Sequence, residues 1–230
     1  MKKLVIAEKP SVAKDLARVL GRVPKKEDYY ENDEWVIDCA VGHLVELFMP
    51  DDFDKKLKAW KLTNLPIIPP EFQLKPIANT KKKFQQLKKQ LKRKDVGEVI
   101  NACDAGREGE LIYHQVISYL KIKKPSKRLW LQSMTKDGIS KAFTSIQPDT
   151  AFRGLKDSAL ARTHADWVIG MNGTRAITGW SSKAYNVGFN KQVVGRVKTP
   201  TLSLVVNRDI EIENFISQKY FQITAKFKIN

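Results

Sequence analysis

Apolar runs at Leu4–Ala7, Val99–Ile100 and Arg128–Leu131 are each followed by a polar turn and then by apolar positions at helical spacing. After the first run, Pro10 and Ser11 open a helix whose stripe is Val12, Leu16, Val19 and Leu20; proline suits a first helical position because its missing N–H is one the helix cannot use. After the second, a run from Leu111 to Leu120 has helical character, and after the third a helix is expected from Thr135 to Ser145. A strand at Trp35–Ala40 runs into Val41-Gly42-His43-Leu44. Strands alternating with helices predict an α/β fold with a parallel, doubly wound sheet, Rossmann-like in plan.

Between these units the pattern changes. Met49 to Pro76 holds five prolines and scattered apolar residues, which predicts an irregular excursion. Asn79 to Lys94 predicts a lysine-rich helix with Phe84, Leu87 and Leu91 turned to the core. Near Pro148 the character shifts to long helices: Thr150–Met171, with Leu155, Leu160, Trp167 and Ile169 as its apolar face, and Thr201–Glu211. Tyr220 to Ile229 alternates like a strand. No internal repeat is evident.

Charge adds a partner to this picture. The chain carries 41 Lys+Arg against 25 Asp+Glu, a formal net charge of +16. Such an excess points to a polyanion, nucleic acid before anionic membrane; a basic surface that only aids solubility is the alternative. No amphipathic aromatic anchor accompanies the charge, and no apolar run reaches a membrane-spanning length. Met1 to Ala7 imitates the start of a signal peptide, but the run is too short and an acid and a proline follow at once. Cys39 and Cys103, far apart and each in apolar surroundings, are expected to be reduced core residues of a cytosolic protein.

The chemistry concentrates in Val99 to Glu110, where Asp104, Glu108 and Glu110 stand among two glycines and Arg107. A buried strand ending at a tight turn sends such side chains into the crevice where open α/β sheets bind ligands. Carboxylates four residues apart suit a hard divalent cation such as Mg²⁺, while a solvated acidic turn at a helix N-terminus is the plainer alternative. Glu8 lies beside Asp104 if the first and central strands are parallel neighbours. His43 stands at a further strand end. On the later helices, Arg162 and Asp166 are one turn apart and can pair. Gly195-Arg196-Val197-Lys198-Thr199-Pro200 offers a hydroxyl, free backbone N–H groups and two cations before a helix. That suits a phosphate, although a simple N-cap accounts for Thr199 equally well.

Taken together these residues resemble a known family. Ile6 to Lys14, Val41-Gly42-His43-Leu44 and Asp104-Ala105-Gly106-Arg107-Glu108-Gly109-Glu110 are similar to Toprim, the metal-binding domain that topoisomerases share with bacterial primases. Ala161-Arg162, Asp166-Trp167, Gly170-Met171-Asn172, Thr174-Arg175-Ala176 and Gly195 to Pro200 narrow the resemblance to type IA DNA topoisomerases, and Glu8-Lys9-Pro10-Ser11 to the topoisomerase III branch. The resemblance implies a Toprim domain over residues 1–150, a mainly helical segment binding single-stranded DNA over 151–216, and the start of an arched β domain over 217–230. It implies cleavage and religation of one DNA strand through a 5′-phosphotyrosine. Glu8 would act in that chemistry beside the metal, Lys9 would contact the scissile phosphate, and Arg107 would help place the active-site groups. Glu8, Asp104 and Glu108 would hold Mg²⁺. His43, Arg162, Asp166, Arg175, Arg196, Lys198 and Thr199 would meet DNA. A monomer in the bacterial cytoplasm, on nucleoid or plasmid DNA, is expected.

Three departures from the pattern matter. Gly106 stands where the family commonly has a second aspartate, which favours a one-ion site, and Lys198 stands where many members carry glutamine. None of Tyr29, Tyr30, Tyr113, Tyr119, Tyr185 or Tyr220 sits in the motif of the nucleophilic tyrosine. The 230-residue chain alone is therefore expected to bind Mg²⁺ and DNA without cutting.

Overall fold

A computed structural model describes residues 1–186 and 188–228. In chain order the elements are β1 (Lys2–Ala7), α1 (Pro10–Val19), β2 (Tyr30–Glu31), β3 (Trp35–Cys39), β4 (Val45–Leu47) and α2 (Pro50–Phe53). They continue with β5 (Leu74–Pro76), α3 (Lys81–Leu91), β6 (Val96–Ala102), α4 (Arg107–Tyr119), β7 (Ser126–Arg128), α5 (Lys136–Thr144) and β8 (Gln147–Pro148). Two long helices, α6 (Arg153–Ala184) and α7 (Lys198–Glu213), follow. The chain divides into two compact units, 1–168 and 169–230, with the boundary inside α6.

The first unit is an α/β sandwich. Its six-stranded sheet has the order β2-β3-β1-β6-β7-β8. β3, β1, β6 and β7 run parallel, and the two edge strands are antiparallel to their neighbours. Period-two alternation sorts the strand residues between two cores. Leu4, Ile6, Val36, Val99 and Cys103 pack with Phe84, Leu87 and Leu91 of α3 and Ile112, Tyr113 and Val116 of α4. Val5, Ala7, Ile37, Ile100 and Ala102 pack on the other face with Leu16 of α1 and Ile139 of α5. Helices that follow β1 and β6 thus cover opposite faces, so the crevice of a doubly wound sheet opens between the C-terminal ends of these two strands.

Several sequence expectations shift in place or extent. The strand expected over Arg128–Leu131 is β7, which ends at Arg128. The irregular stretch from Met49 to Pro76 contains β5, paired antiparallel with β4 in a small second sheet. The helix expected over Thr150–Met171 begins at Arg153 and continues to Ala184. On it Trp167 is buried and donates its indole N–H to the Phe48 carbonyl at 2.9 Å, whereas Ile169, expected on the apolar face, is exposed. α7 begins at Lys198 rather than Thr201, so Val197 is the N-cap and Thr199 is not. Pro200 is tolerated there because first-turn N–H groups have no intrahelical partner. No strand forms over 220–228; Phe221 and Ile223 are almost fully exposed. An alternating segment becomes a strand only by pairing, and the remaining residue of that expected strand, Ile229, lies outside the described residues. Cys39 and Cys103 are both free thiols in the core, as expected, and burial raises both.

One ion-pair cluster ties the edge of the sheet to its centre. Glu31 of β2 accepts Lys2 Nζ at 2.6 Å and Arg93 Nη2 at 2.5 Å. The hydrogen bond from Arg93 is the main reason that the Glu31 carboxyl sits at about 2. A carboxylate held below its unfolded value of about 4.3 stabilises the fold above that value, and the contribution fades as pH falls toward the folded one. Glu31→Gln is expected to cost about 1–2 kcal/mol at neutral pH, after allowance for solvent screening. In urea titrations across pH, the gap between variant and parent should close between about pH 4.5 and pH 2. A gap that stays constant over that range would show that the charge is irrelevant.

Candidate active site

Parallel pairing of β1 with β6 sets Ala7 opposite Ala102, and pairing with β3 sets Ala7 opposite Cys39. The next residues of all three strands therefore emerge at one edge. There the Asp104 N–H donates to Glu8 Oε2 at 3.3 Å. Lys9 Nζ stands 2.6 Å from Asp104 Oδ2 and 3.9 Å from Glu8 Oε1. This hydrogen bond to Asp104, with the charge of Asp104 and then Glu8, raises the Lys9 pKa, so its ammonium stays charged at any physiological pH. The expected neighbourhood of Glu8 and Asp104 is thus present, with a lysine cation between the two carboxylates.

The loop after β3 closes over this edge. Val41 and Gly42 have φ of 58° and 82°, and their N–H groups point at the Glu8 carbonyl at 2.8 and 3.4 Å. For a β-branched residue the left-handed region is strained, at a cost of order 1–3 kcal/mol. Such strain persists where surrounding contacts enforce it, here by wrapping the backbone of Glu8. The turn delivers His43, whose Nε2 lies 2.6 Å from Glu108 Oε1. His43 therefore meets a carboxylate of the acidic turn.

α4 starts at Arg107, with Gly106 as N-cap at an extended φ of 169°. Arg107 and Glu108 are exposed in its first turn; Glu110 is fully buried. Its neighbour Gly109 is where the helix meets the strand end. A Cβ there would lie 2.1 Å from the Asp104 carbonyl oxygen, while a Cβ on Gly106 would meet nothing. An open cavity of about 550 Å³ adjoins the edge, lined by Lys9, Asp104, Ala105, Trp130, Gln132 and Met134 among others.

The acidic residues of the turn divide into two groups. Glu8 and Asp104 share Lys9, and Glu108 is held by His43. Beneath them, Glu110 Oε1 lies 2.5 Å from Arg128 Nε, and Glu110 Oε2 is 3.1 Å from His114 Nε2. His114 Nε2 is also 3.4 Å from Asp149 Oδ1. Among the described residues, Glu110, His114 and Asp149 are the acidic and histidine group whose ligand atoms all lie within 4.8 Å of one another. Burial lowers the pKa of His114, but Asp149 and Glu110 outweigh it, and the net shift is upward. With His114 protonated, two carboxylates face two cations and the buried group is balanced.

Sequence reasoning missed this layer. Arg128 read as a member of a strand, and Glu110 as one of three like acids of the turn, either facing the ligand crevice or solvated at the helix N-terminus. The signal available was the Glu110–His114 spacing of four, one turn apart on a helix whose neighbouring positions are apolar.

Residues expected to meet DNA fall in both units. Arg162 and Asp166 are exposed on α6 within the first unit. In the second, Arg175 is buried, and Arg196, Lys198 and Thr199 are exposed ahead of and at the start of α7. Two buried threonines of α6 fix the approach to that motif. Thr174 Oγ1 accepts the Val194 N–H at 3.0 Å, and Thr178 Oγ1 accepts the Gln192 N–H at 2.9 Å. Gly173 admits Val194, whose side chain would clash with a Cβ at 2.9 Å.

Comparison with known proteins agrees with this layout. The family model of the Toprim domain matches residues 3–134. The chain belongs to the Toprim family. Beyond this Toprim domain, the family model described as DNA topoisomerase matches residues 151–230. DNA topoisomerase 3 of Bacillus cereus strain ATCC 10987 is 46% identical over 226 residues, covering 98% of this chain and 30% of that protein. DNA topoisomerase 3 of Bacillus subtilis strain 168 is 42% identical over 225 residues, covering 97% of this chain and 30% of that protein. The chain therefore spans about 30% of the length of these relatives. Among solved structures, full-length topoisomerase I from Thermotoga maritima matches with a TM-score of 0.60 at 21% identity, over 93% of this chain and 31% of that one. That likeness supports the fold.

The contact at Gly109 sets a test of the Toprim turn. Gly109→Ala forces the helix off the Asp104 carbonyl and is expected to cost about 2–3 kcal/mol in urea unfolding. Gly106→Ala, at an extended and open position, should stay within about 0.5 kcal/mol of the parent. Equal behaviour of the two variants would mean that the helix and strand end are not in this contact.

Proposed function

We propose that this chain is the metal- and DNA-binding part of a type IA topoisomerase of the topoisomerase III kind. The observation that carries the proposal is the meeting of Glu8, Lys9 and Asp104 at the crevice between β1 and β6. Residues 1–150 form the Toprim domain, 151–216 the helical segment that takes single-stranded DNA, and 217–230 the start of an arched β domain. The protein acts in the bacterial cytoplasm, on nucleoid or plasmid DNA, and as a monomer.

Lys9 is the cation aimed at the scissile phosphate. Charged throughout the physiological range and free to exchange its Asp104 partner for a phosphate, it stabilises the charge that develops as a phosphate oxygen link breaks or reforms. Glu8 is held by the Asp104 N–H and by the loop around its carbonyl. Held in this way, it exchanges the proton of the attacking or departing hydroxyl. Arg107, exposed at the start of α4, helps to place these groups. Glu8, Asp104 and Glu108 are the residues that would hold Mg²⁺. Their all-oxygen donor set suits a hard cation, and the open space at Gly106 leaves room for its water. Glu8 and Asp104 already stand together around Lys9, whereas Glu108, held by His43, would have to turn toward them to complete the set. When bound, the ion supplies positive charge that orients the phosphate. His43 is placed to orient Glu108 and reach the strand. Arg162, Asp166, Arg175, Arg196, Lys198 and Thr199 contact DNA, the cations through phosphates. The attacking tyrosine is not one of the six in this sequence, so residues 1–230 bind without cutting.

Calorimetry is expected to show weak Mg²⁺ binding, because few protein ligands leave most of the shell to water. Asp104→Asn combined with Glu108→Gln should abolish the heat, and Gly106→Asp should tighten binding several-fold by adding a carboxylate without a clash. Heat unchanged in the double variant would sink the metal assignment.

Single-stranded DNA should bind better than duplex, with log affinity falling against log salt by about 0.7 per phosphate neutralised. Arg196→Ala should flatten that slope by one contact. Equal affinity for duplex and single strand at every salt concentration would instead indicate a generic basic surface. Incubation with labelled single strands and a denaturing gel should show no covalent band.

A further inference from the structure

Among the described residues Arg128 is the largest fully buried side chain, and it lies beneath the site at the end of β7. Its Nη1 donates to the carbonyls of Asn101 at 3.1 Å, Cys103 at 2.7 Å and Leu129 at 3.0 Å, and its Nη2 to the Asp104 carbonyl at 2.9 Å. Three of these four acceptors belong to the end of β6 and the turn that follows it. The last two flank Asp104 itself, where the strand ladder has ended. Nε faces Glu110 at 2.5 Å, and Asn101 Nδ2 donates to the same Glu110 oxygen at 3.3 Å. The guanidinium also lies 4.9 Å from the ring of Trp130.

Burying such a pair is a poor route to stability, since apolar side chains of the same volume commonly do as well or better. What an apolar side chain cannot do is donate to carbonyls on both sides of one residue. Arginine does it with a rigid planar fork, whereas lysine offers a single point. Gly109 completes the arrangement by letting α4 press directly on the Asp104 backbone.

We propose that Arg128, with Glu110 as its buried counter-ion, is a positioning residue that sets the direction of the Asp104 carboxylate toward the metal. The inference rests on Asp104 being a metal ligand, as proposed above. Groups that orient a ligand from behind commonly contribute 10–100-fold in metal affinity.

Mn²⁺ serves as the probe, with its binding to the chain followed by electron paramagnetic resonance and folding followed by thermal melts without metal. Arg128→Lys, folded, is expected to bind Mn²⁺ about 10–100-fold more weakly. Added to Asp104→Asn, it should cause no further loss, because the two act through one ligand. Glu110→Gln keeps the shape but not the charge and should give a smaller loss. Parent-like affinity in a folded Arg128→Lys overturns the inference and leaves the metal reading of Asp104 standing. Should Arg128→Lys not fold, Glu110→Gln decides in the same way, and loss of the fold in both variants overturns the proposal by making the pair structural. Mn²⁺ binding lost in Glu110→Gln but retained in Asp104→Asn also overturns it, by placing the ion at Glu110, His114 and Asp149. An absence of Mn²⁺ binding by the parent chain removes the metal reading first, and this inference with it.

Discussion

The parallel pairing of β1 between β3 and β6 is the constraint on which everything else depends. It is made of main-chain hydrogen bonds, indifferent to side chains, yet it brings Ala7, Cys39 and Ala102 into line. Glu8, the Val41–His43 turn and Asp104 then emerge together although they are separated by up to 96 residues. The two apolar cores fix this register, because a one-residue slip would turn Leu4 and Ile6 to the wrong face. Opposite placement of α1 and α4 leaves the gap at which the polar residues gather.

Electrostatics at this edge come in two layers with different surroundings. In the upper layer Lys9, Glu8, Asp104, Glu108 and His43 are at least partly open to solvent, so an incoming ion or phosphate can exchange partners with them. In the lower layer Arg128, Glu110 and His114 are buried and paired. Charges there have no water to turn to, so their geometry is fixed. A rigid base beneath an exchangeable surface is what a site must have if ligands are to arrive and leave without rearranging the fold.

Strain and glycine serve the same end. Val41 holds a left-handed conformation that its branched side chain disfavours. Gly109 removes the Cβ that would keep α4 from the Asp104 carbonyl. In the second unit Gly173, Thr174 and Thr178 bring the 192–194 segment against α6, fixing where the Gly195–Pro200 motif begins.

The alternating strands and helices, the parallel sheet, the core faces of α1 and α3, and the free cysteines were all legible along the chain, because these follow from local periodicity and composition. The same pattern pointed to Glu8 and Asp104 as neighbours, since strand-turn-helix grammar places strand ends at one edge; the lysine between them, Lys9, came from the fold. Which acids of the turn are exposed depends on long-range packing. Asp104, Glu108 and Glu110 look alike in sequence, and Glu110 differs because Arg128 and His114 reach it from elements far along the chain. Only the fold, likewise, set the bounds of β7 and α7 and left Tyr220 to Lys228 without a strand. Those outcomes hinge on partners, and the local pattern of one segment holds no information about what packs or pairs against it.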